Sequence, residues 1–166
     1  VKNAPTAVVL PSGNSYLSRC HAKIEFEAPG DEAVLPWRIP PDDWTSSYVE
    51  IWMPYRDPPS GTGHRVAVTV ETPGGAVFTP GIGEDPSTVH EWRSGAEAVC
   101  SVRYIYVPAD TDRGLFLVRV APTFSLDPAA TTAPAGTWKV RIKNVAMPKG
   151  APIQVWVLRD DTLFGH

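Results

Sequence analysis

Apolar and polar residues alternate along short stretches of this chain. Ala22, Ile24, Phe26 and Ala28 alternate with Lys23, Glu25 and Glu27, and Val66, Val68 and Val70 alternate with Arg65, Ala67, Thr69 and Glu71. Trp138, Val140 and Ile142 alternate with Lys139, Arg141 and Lys143, and Ile153, Val155 and Val157 with Gln154, Trp156 and Leu158. Successive side chains of a strand point to opposite faces, so each stretch presents one apolar face. Ser47 to Met53, Ala98 to Val107 and Leu115 to Val120 are further strand candidates. No stretch keeps a 3.6-residue apolar period over a helical length. Turn chemistry separates the stretches: Pro58-Pro59-Ser60-Gly61-Thr62-Gly63, Thr72-Pro73-Gly74-Gly75 and Pro134-Ala135-Gly136. Residues 122–134, rich in Ala, Thr and Pro, read as a long loop. Short strands at regular spacing with explicit turns predict an all-β fold, an antiparallel β-sandwich of jelly-roll-like type.

Composition narrows the function classes. A chain of 166 residues is long enough for one domain with a real core, and 43% apolar with 20% charged residues is ordinary globular usage. A net charge of −3 argues against a general nucleic-acid binder, which carries a basic stripe. No apolar run reaches the roughly 18 residues of a membrane-spanning helix. Val1-Lys2-Asn3-Ala4-Pro5 does not lead into the long apolar stretch of a signal peptide, although a mature or excised piece reads the same, so secretion stays open. The two cysteines, Cys20 and Cys100, lie in separate strand-like stretches. They read either as one strand-to-strand disulfide or as two buried thiols, and they make neither a disulfide framework nor a zinc site. The reading calls for no metal and no cofactor.

The first nineteen residues break the alternation. Ala7-Val8-Val9-Leu10 is a continuous apolar run, which suits a strand buried on both faces, and Pro11-Ser12-Gly13-Asn14-Ser15 follows as a sharp exit. An apolar edge segment followed by a polar turn is the simpler reading of the same residues. Taken together, Ala7 to Ser15 resembles the strand of subtilisin-like serine proteases that ends in Gly-Asn. Gly136-Thr137-Trp138 to Asn144, with Ile153 to Thr162, resembles the Gly-x-Trp strand of the β-sandwich accessory domains of many such proteases. Tyr48 to Trp52 and Val66 to Gly75 are similar to parts of the same kind of domain, and the sandwich resemblance covers roughly residues 20 to 161. The resemblance implies two parts: residues 1–19 as a fragment of an α/β protease core, and residues 20–166 as a β-sandwich accessory domain inserted after it. It implies that Asn14 donates its amide to the oxyanion of a tetrahedral intermediate in the intact enzyme. The implied partners are the rest of the catalytic domain and a peptide or protein substrate. The family's Asp, His-Gly-Thr and Gly-Thr-Ser motifs are missing here, since Gly61-Thr62-Gly63 and Gly136-Thr137-Trp138 lack the serine and His21, His64, His90 and His166 have the wrong followers. The chain alone is therefore expected to cleave no peptide.

Other residues carry weaker signals. Asp110-Thr111-Asp112 has the spacing of calcium ligands but no later glutamate in register, and reads as a solvated hairpin loop. Asp42-Asp43 and Asp160-Asp161 read as turn caps, cation ligands or contacts to a neighbouring domain. Trp138 shares a face with Val140 and Ile142 and belongs to the core. Trp52 and Trp156 lie opposite the core residues of their strands, as a platform for sugars, a second core layer or a docking face. His90 beside Glu91 has no visible nucleophile. His21 and Cys20, as adjacent strand residues, point to opposite faces and make no thiol–imidazole pair. The expected function is a non-catalytic insert of a subtilisin-like endopeptidase, the alternative a stand-alone carbohydrate- or protein-binding module.

Overall fold

The computed structural model describes residues 20–54, 65–80, 89–95, 97–107 and 113–158, and among these there is no helix. Ten strands form: β1 (His21–Ile24), β2 (Glu32–Ile39), β3 (Ser47–Trp52), β4 (Arg65–Glu71), β5 (Val77–Phe78), β6 (Val89–Ser94), β7 (Glu97–Val107), β8 (Arg113–Val120), β9 (Gly136–Ala146) and β10 (Ile153–Leu158). They build a six-stranded sheet in the order β1-β10-β3-β8-β7-β6 and a four-stranded sheet in the order β2-β9-β4-β5. Every pairing is antiparallel. The all-β sandwich expected from the alternation is what forms. Residues 1–19, with the strand expected there, lie outside the described residues.

Alternation decides which side chains go inside. Val49 and Ile51 of β3, Phe116, Val118 and Val120 of β8, and Ile153 and Val155 of β10 come from one sheet. They meet Val66, Val68 and Val70 of β4 and Trp138, Val140 and Ile142 of β9 from the other, in one buried cluster. Trp138 is fully buried, donates Nε1–H to the Pro134 carbonyl at 2.9 Å and meets Trp92 edge-on at 6.4 Å between ring centres. The indole thus buries its apolar body while its one polar atom keeps a partner. Asn144, 1% exposed, is satisfied the same way: Nδ2 donates to Ala28 O at 2.8 Å and Oδ1 accepts from Met147 N at 2.7 Å.

Three strands were not visible in the alternation. β2 contains Pro36, which has no amide hydrogen, and it forms at the edge of the four-stranded sheet, where a missing donor is tolerated. β6 is likewise an edge strand, and β5 is only two residues long. The stretch from Ala22 to Ala28 is strand only as far as Ile24, because Asp31 Oδ2 takes the amides of Glu27 and Ala28 at 3.0 and 2.9 Å. Phe26 is still buried. The turn after β4 uses Gly75 at φ 86°, with Gly75 N donating to Thr72 O at 3.0 Å. Gly136 opens β9 at φ 130°, where a Cβ would stand 2.9 Å from Pro73 Cβ, so both conformation and space call for glycine. The long loop after β8 is free of strand and is tied down by the amides of Thr123 and Phe124 donating to Asp43 O.

The strands that open and close the sandwich are neighbours. β1 pairs with β10, His21 opposite Trp156, and Val157 N donates to Cys20 O at 2.7 Å. The chain therefore enters and leaves the described sandwich side by side at one edge of the six-stranded sheet.

Replacing Trp138 by Ala should cost about 3–5 kcal/mol, seen as a lower urea midpoint at unchanged slope. Trp138→Phe should fall between, since it keeps much of the packing but orphans the Pro134 carbonyl. On the outer side of β4, hydrogen bonds from Lys139 and then Arg141 hold the Glu71 carboxyl below its usual range. Its contribution is therefore present above the unfolded carboxylate range of about 4.3 and is lost as pH falls through its own lower value. Glu71→Gln should lower the urea midpoint at pH 7, and the gap to the parent should close on acidification.

Candidate functional site

The two sheets turn different chemistry outward. On the four-stranded sheet, Lys139 Nζ lies 2.7 Å from Glu71 Oε1, and Arg141 bridges Glu71 Oε2 at 2.7 Å and Glu32 Oε1 at 3.0 Å. This is a charged ladder across β2, β9 and β4. On the six-stranded sheet the outward positions of β10, β3 and β8 hold Trp156, Leu158, Trp52, Leu115 and Leu117 among polar and charged neighbours such as Gln154, Glu50 and Arg119. Trp156 is 41% exposed and Leu158 43%.

Strand register assembles a cluster on this second face. Gln154 stands opposite Trp52, and Trp156 stands between His21 and Glu50. The His21 ring stacks on Trp156 with centres 4.0 Å apart, and His21 Nε2 lies 2.7 Å from Gln154 Oε1. Trp52 donates Nε1–H to Glu50 Oε2 at 2.8 Å. The Arg113 guanidinium lies 5.3 Å from the centre of the Trp52 ring, while its Nε donates to Met53 O at 2.8 Å. A cation over an indole face is attracted by the ring quadrupole. His21, Trp52, Arg113, Gln154 and Trp156 line a shallow open trough of about 460 Å³. It offers ring faces, a guanidinium and an amide, groups that can stack and hydrogen-bond.

The remaining sequence candidates fall as follows. Asn14, Asp110, Asp112, Asp160, Asp161, His64 and His166 lie outside the described residues. Asp43 caps its own turn: Oδ1 accepts from Thr45 N at 3.0 Å and Thr45 Oγ1 at 2.8 Å, and Oδ2 accepts from Ser47 Oγ at 2.9 Å. Glu91 is engaged by Arg93, and as strand neighbours His90 and Glu91 turn to opposite faces. Cys20 is buried while His21 is exposed, as their adjacency requires. No group of three or more His, Cys, Asp or Glu among the described residues is placed to hold a metal ion. No helix among them is long and apolar enough to cross a membrane.

Cys20 and Cys100 are thiols, not a disulfide. Cys20 borders β1 and Cys100 lies on β7, with β10, β3 and β8 between. Four strand spacings of about 4.8 Å separate them by roughly 19 Å, far beyond the ~7 Å limit of a bridge. Burial pushes the Cys100 thiol up to about 12.

Nothing local in the sequence marks His21, Gln154 and Arg113 as companions of the two tryptophans. The parity of each strand was readable, but the cross-strand register that brings them together was not.

No family model matches the chain, and no curated protein matches it. Among solved structures, it is similar to the CspB protease of Clostridium perfringens, with a TM-score of 0.64 and 17% sequence identity over 88% of this chain. The match spans only 27% of that protease's chain. At this identity the likeness is one of fold: the sandwich has the architecture of part of a protease chain.

A thiol ionising near pH 12 is inert at neutral pH. At pH 8 Cys100 should not react with a disulfide reagent in the folded protein, and both cysteines should react in guanidinium without prior reduction. Rapid native modification of Cys100 would contradict its burial.

Proposed function

We propose that this chain is a non-catalytic β-sandwich insert of a subtilisin-like serine endopeptidase. Residues 1–19 contribute a strand of the catalytic core, and residues 20–166 form the accessory domain, which stabilises that core or shapes access of peptide and protein substrates. The observation that carries the reading is that β1 and β10 are hydrogen-bonded neighbours. A domain whose ends lie together can be spliced into a host without pulling the host apart. Two further points support it: the fold likeness to a segment of a protease, and the Gly13-Asn14 pair just ahead of the sandwich.

In this reading Asn14 serves the intact enzyme. Attack on a peptide carbonyl places negative charge on its oxygen, and an amide donor fixed at a strand end stabilises that charge where it develops. Gly13 leaves room for the substrate backbone.

The trough favours a second reading, a binding module for carbohydrate or protein, because two indoles line it together. Retention on a glycan array that disappears with Trp52→Ala or Trp156→Ala would establish it.

The polypeptide from which the chain comes should carry an Asp motif and His-Gly-Thr before it and Gly-Thr-Ser after it, and should react with a fluorophosphonate probe. In that polypeptide Asn14→Ala should lower kcat by about 10²–10³-fold with little change in KM. That size is subtilisin's own for such a donor. An unchanged kcat would remove Asn14 from the mechanism.

A further inference from the structure

We propose that the outer face of the six-stranded sheet, centred on Trp156 and Trp52, is the surface by which the sandwich docks on the catalytic body that carries it. The proposal rests on the insert reading above and says which face meets the host.

Three observations lead there. The first is the contrast between the two outer faces. A Lys–Glu–Arg ladder crosses the four-stranded sheet and suits water, and the exposed apolar side chains of that face, Val34 and Val77, are small and stand apart on its two edge strands. Trp156, Trp52, Leu117 and Leu158 cover the other, and Trp156 and Leu158 remain 41% and 43% exposed. Aromatic side chains with arginine are enriched where proteins meet, and lysine and glutamate are depleted there.

The second is position. His21 and Trp156 stack on each other at the strands through which the chain enters and leaves. A body joined to the sandwich just before Cys20 and just after Leu158 is held beside this cluster. The charged ladder lies on the far side of the core.

The third is size and charge. Six strands about 4.8 Å apart and roughly 20 Å long give a face of roughly 500 Å² in projection, which fits one side of an inter-domain contact of about 600–1,500 Å². Arg103, Arg113 and Arg119 turn outward from β7 and β8 around the apolar centre, with Lys23 on β1, against Glu50 on β3 and Glu91 on β6. The matching host surface is apolar in the middle with carboxylates at its margin.

The test uses the whole parent polypeptide and an internal standard. Trp44, 54% exposed on the loop between β2 and β3, and Trp156, 41% exposed, would be oxidised by hydroxyl radicals at rates within about twofold of each other on an undocked sandwich. Docking should slow oxidation of Trp156 at least about tenfold relative to Trp44, independent of protein concentration. Rates within about twofold in a polypeptide that takes the fluorophosphonate probe would overturn the docking and leave the insert reading standing. Protection of Trp156 that appears only at high concentration would assign the face to a second copy and overturn the proposal. Protection in a polypeptide that does not take the probe would overturn the insert reading, and with it the named occupant.

Discussion

The apolar layer between the two sheets governs everything else in this molecule. Val49, Ile51, Val118 and Val155 from one side and Val68, Val140, Ile142 and Trp138 from the other are each at most a few per cent exposed. Because a strand's side chains alternate, fixing these positions inward fixes every neighbour outward. A slip of one residue in any strand would exchange the two sets, so the register of Trp37 opposite Trp138, or of Ile51 opposite Phe116, is held by the core and not by the turns alone. Trp138 and Asn144 show how polar atoms are admitted to this layer, each with its hydrogen-bonding groups matched to backbone partners.

Once the inner positions are committed, the outer ones are free to differ, and the two faces have diverged. Glu71, Lys139, Arg141 and Glu32 form a network suited to water, worth little as isolated pairs but coherent as matched charge across three strands. The face carrying Trp52 and Trp156 gathers rings and aliphatic chains on β10, β3 and β8, with Glu50, Arg103, Arg113 and Arg119 among and around them.

Much of the sandwich is legible in the sequence because most of its strands obey one rule. Val66 to Val70, Trp138 to Ile142 and Ile153 to Val157 alternate cleanly, and each is a strand with the expected face buried. The strands that escape notice sit at edges or are very short. Pro36 reads as a breaker until the edge position of β2 is known, and β5 is too short to show a period. The end of β1 was hidden by a local competitor, the Asp31 carboxylate that takes two amides from the following residues. The cluster around Trp156 was half legible: parity placed both tryptophans outward, but His21, Gln154 and Arg113 arrive through pairings between distant stretches. The same pairings settle the cysteines, whose separation across three intervening strands follows from strand order and from nothing local to Cys20 or Cys100.

The pairing of β1 with β10, closed off by Val157 N donating to the carbonyl of Cys20, also sets an order of events. To any polypeptide that carries it, the folded sandwich is a tight link about one strand spacing wide, whereas the unfolded sandwich is a slack tether of roughly 140 residues. Closing such a tether costs about 3 kcal/mol more than closing a five-residue loop, by the logarithmic dependence of chain closure on length. A carrier that assembles after its passenger is spared that cost, and one that melts around an already unravelled passenger must bear it. Thermal loss of the sandwich would therefore loosen its carrier at a distance, through chain entropy alone.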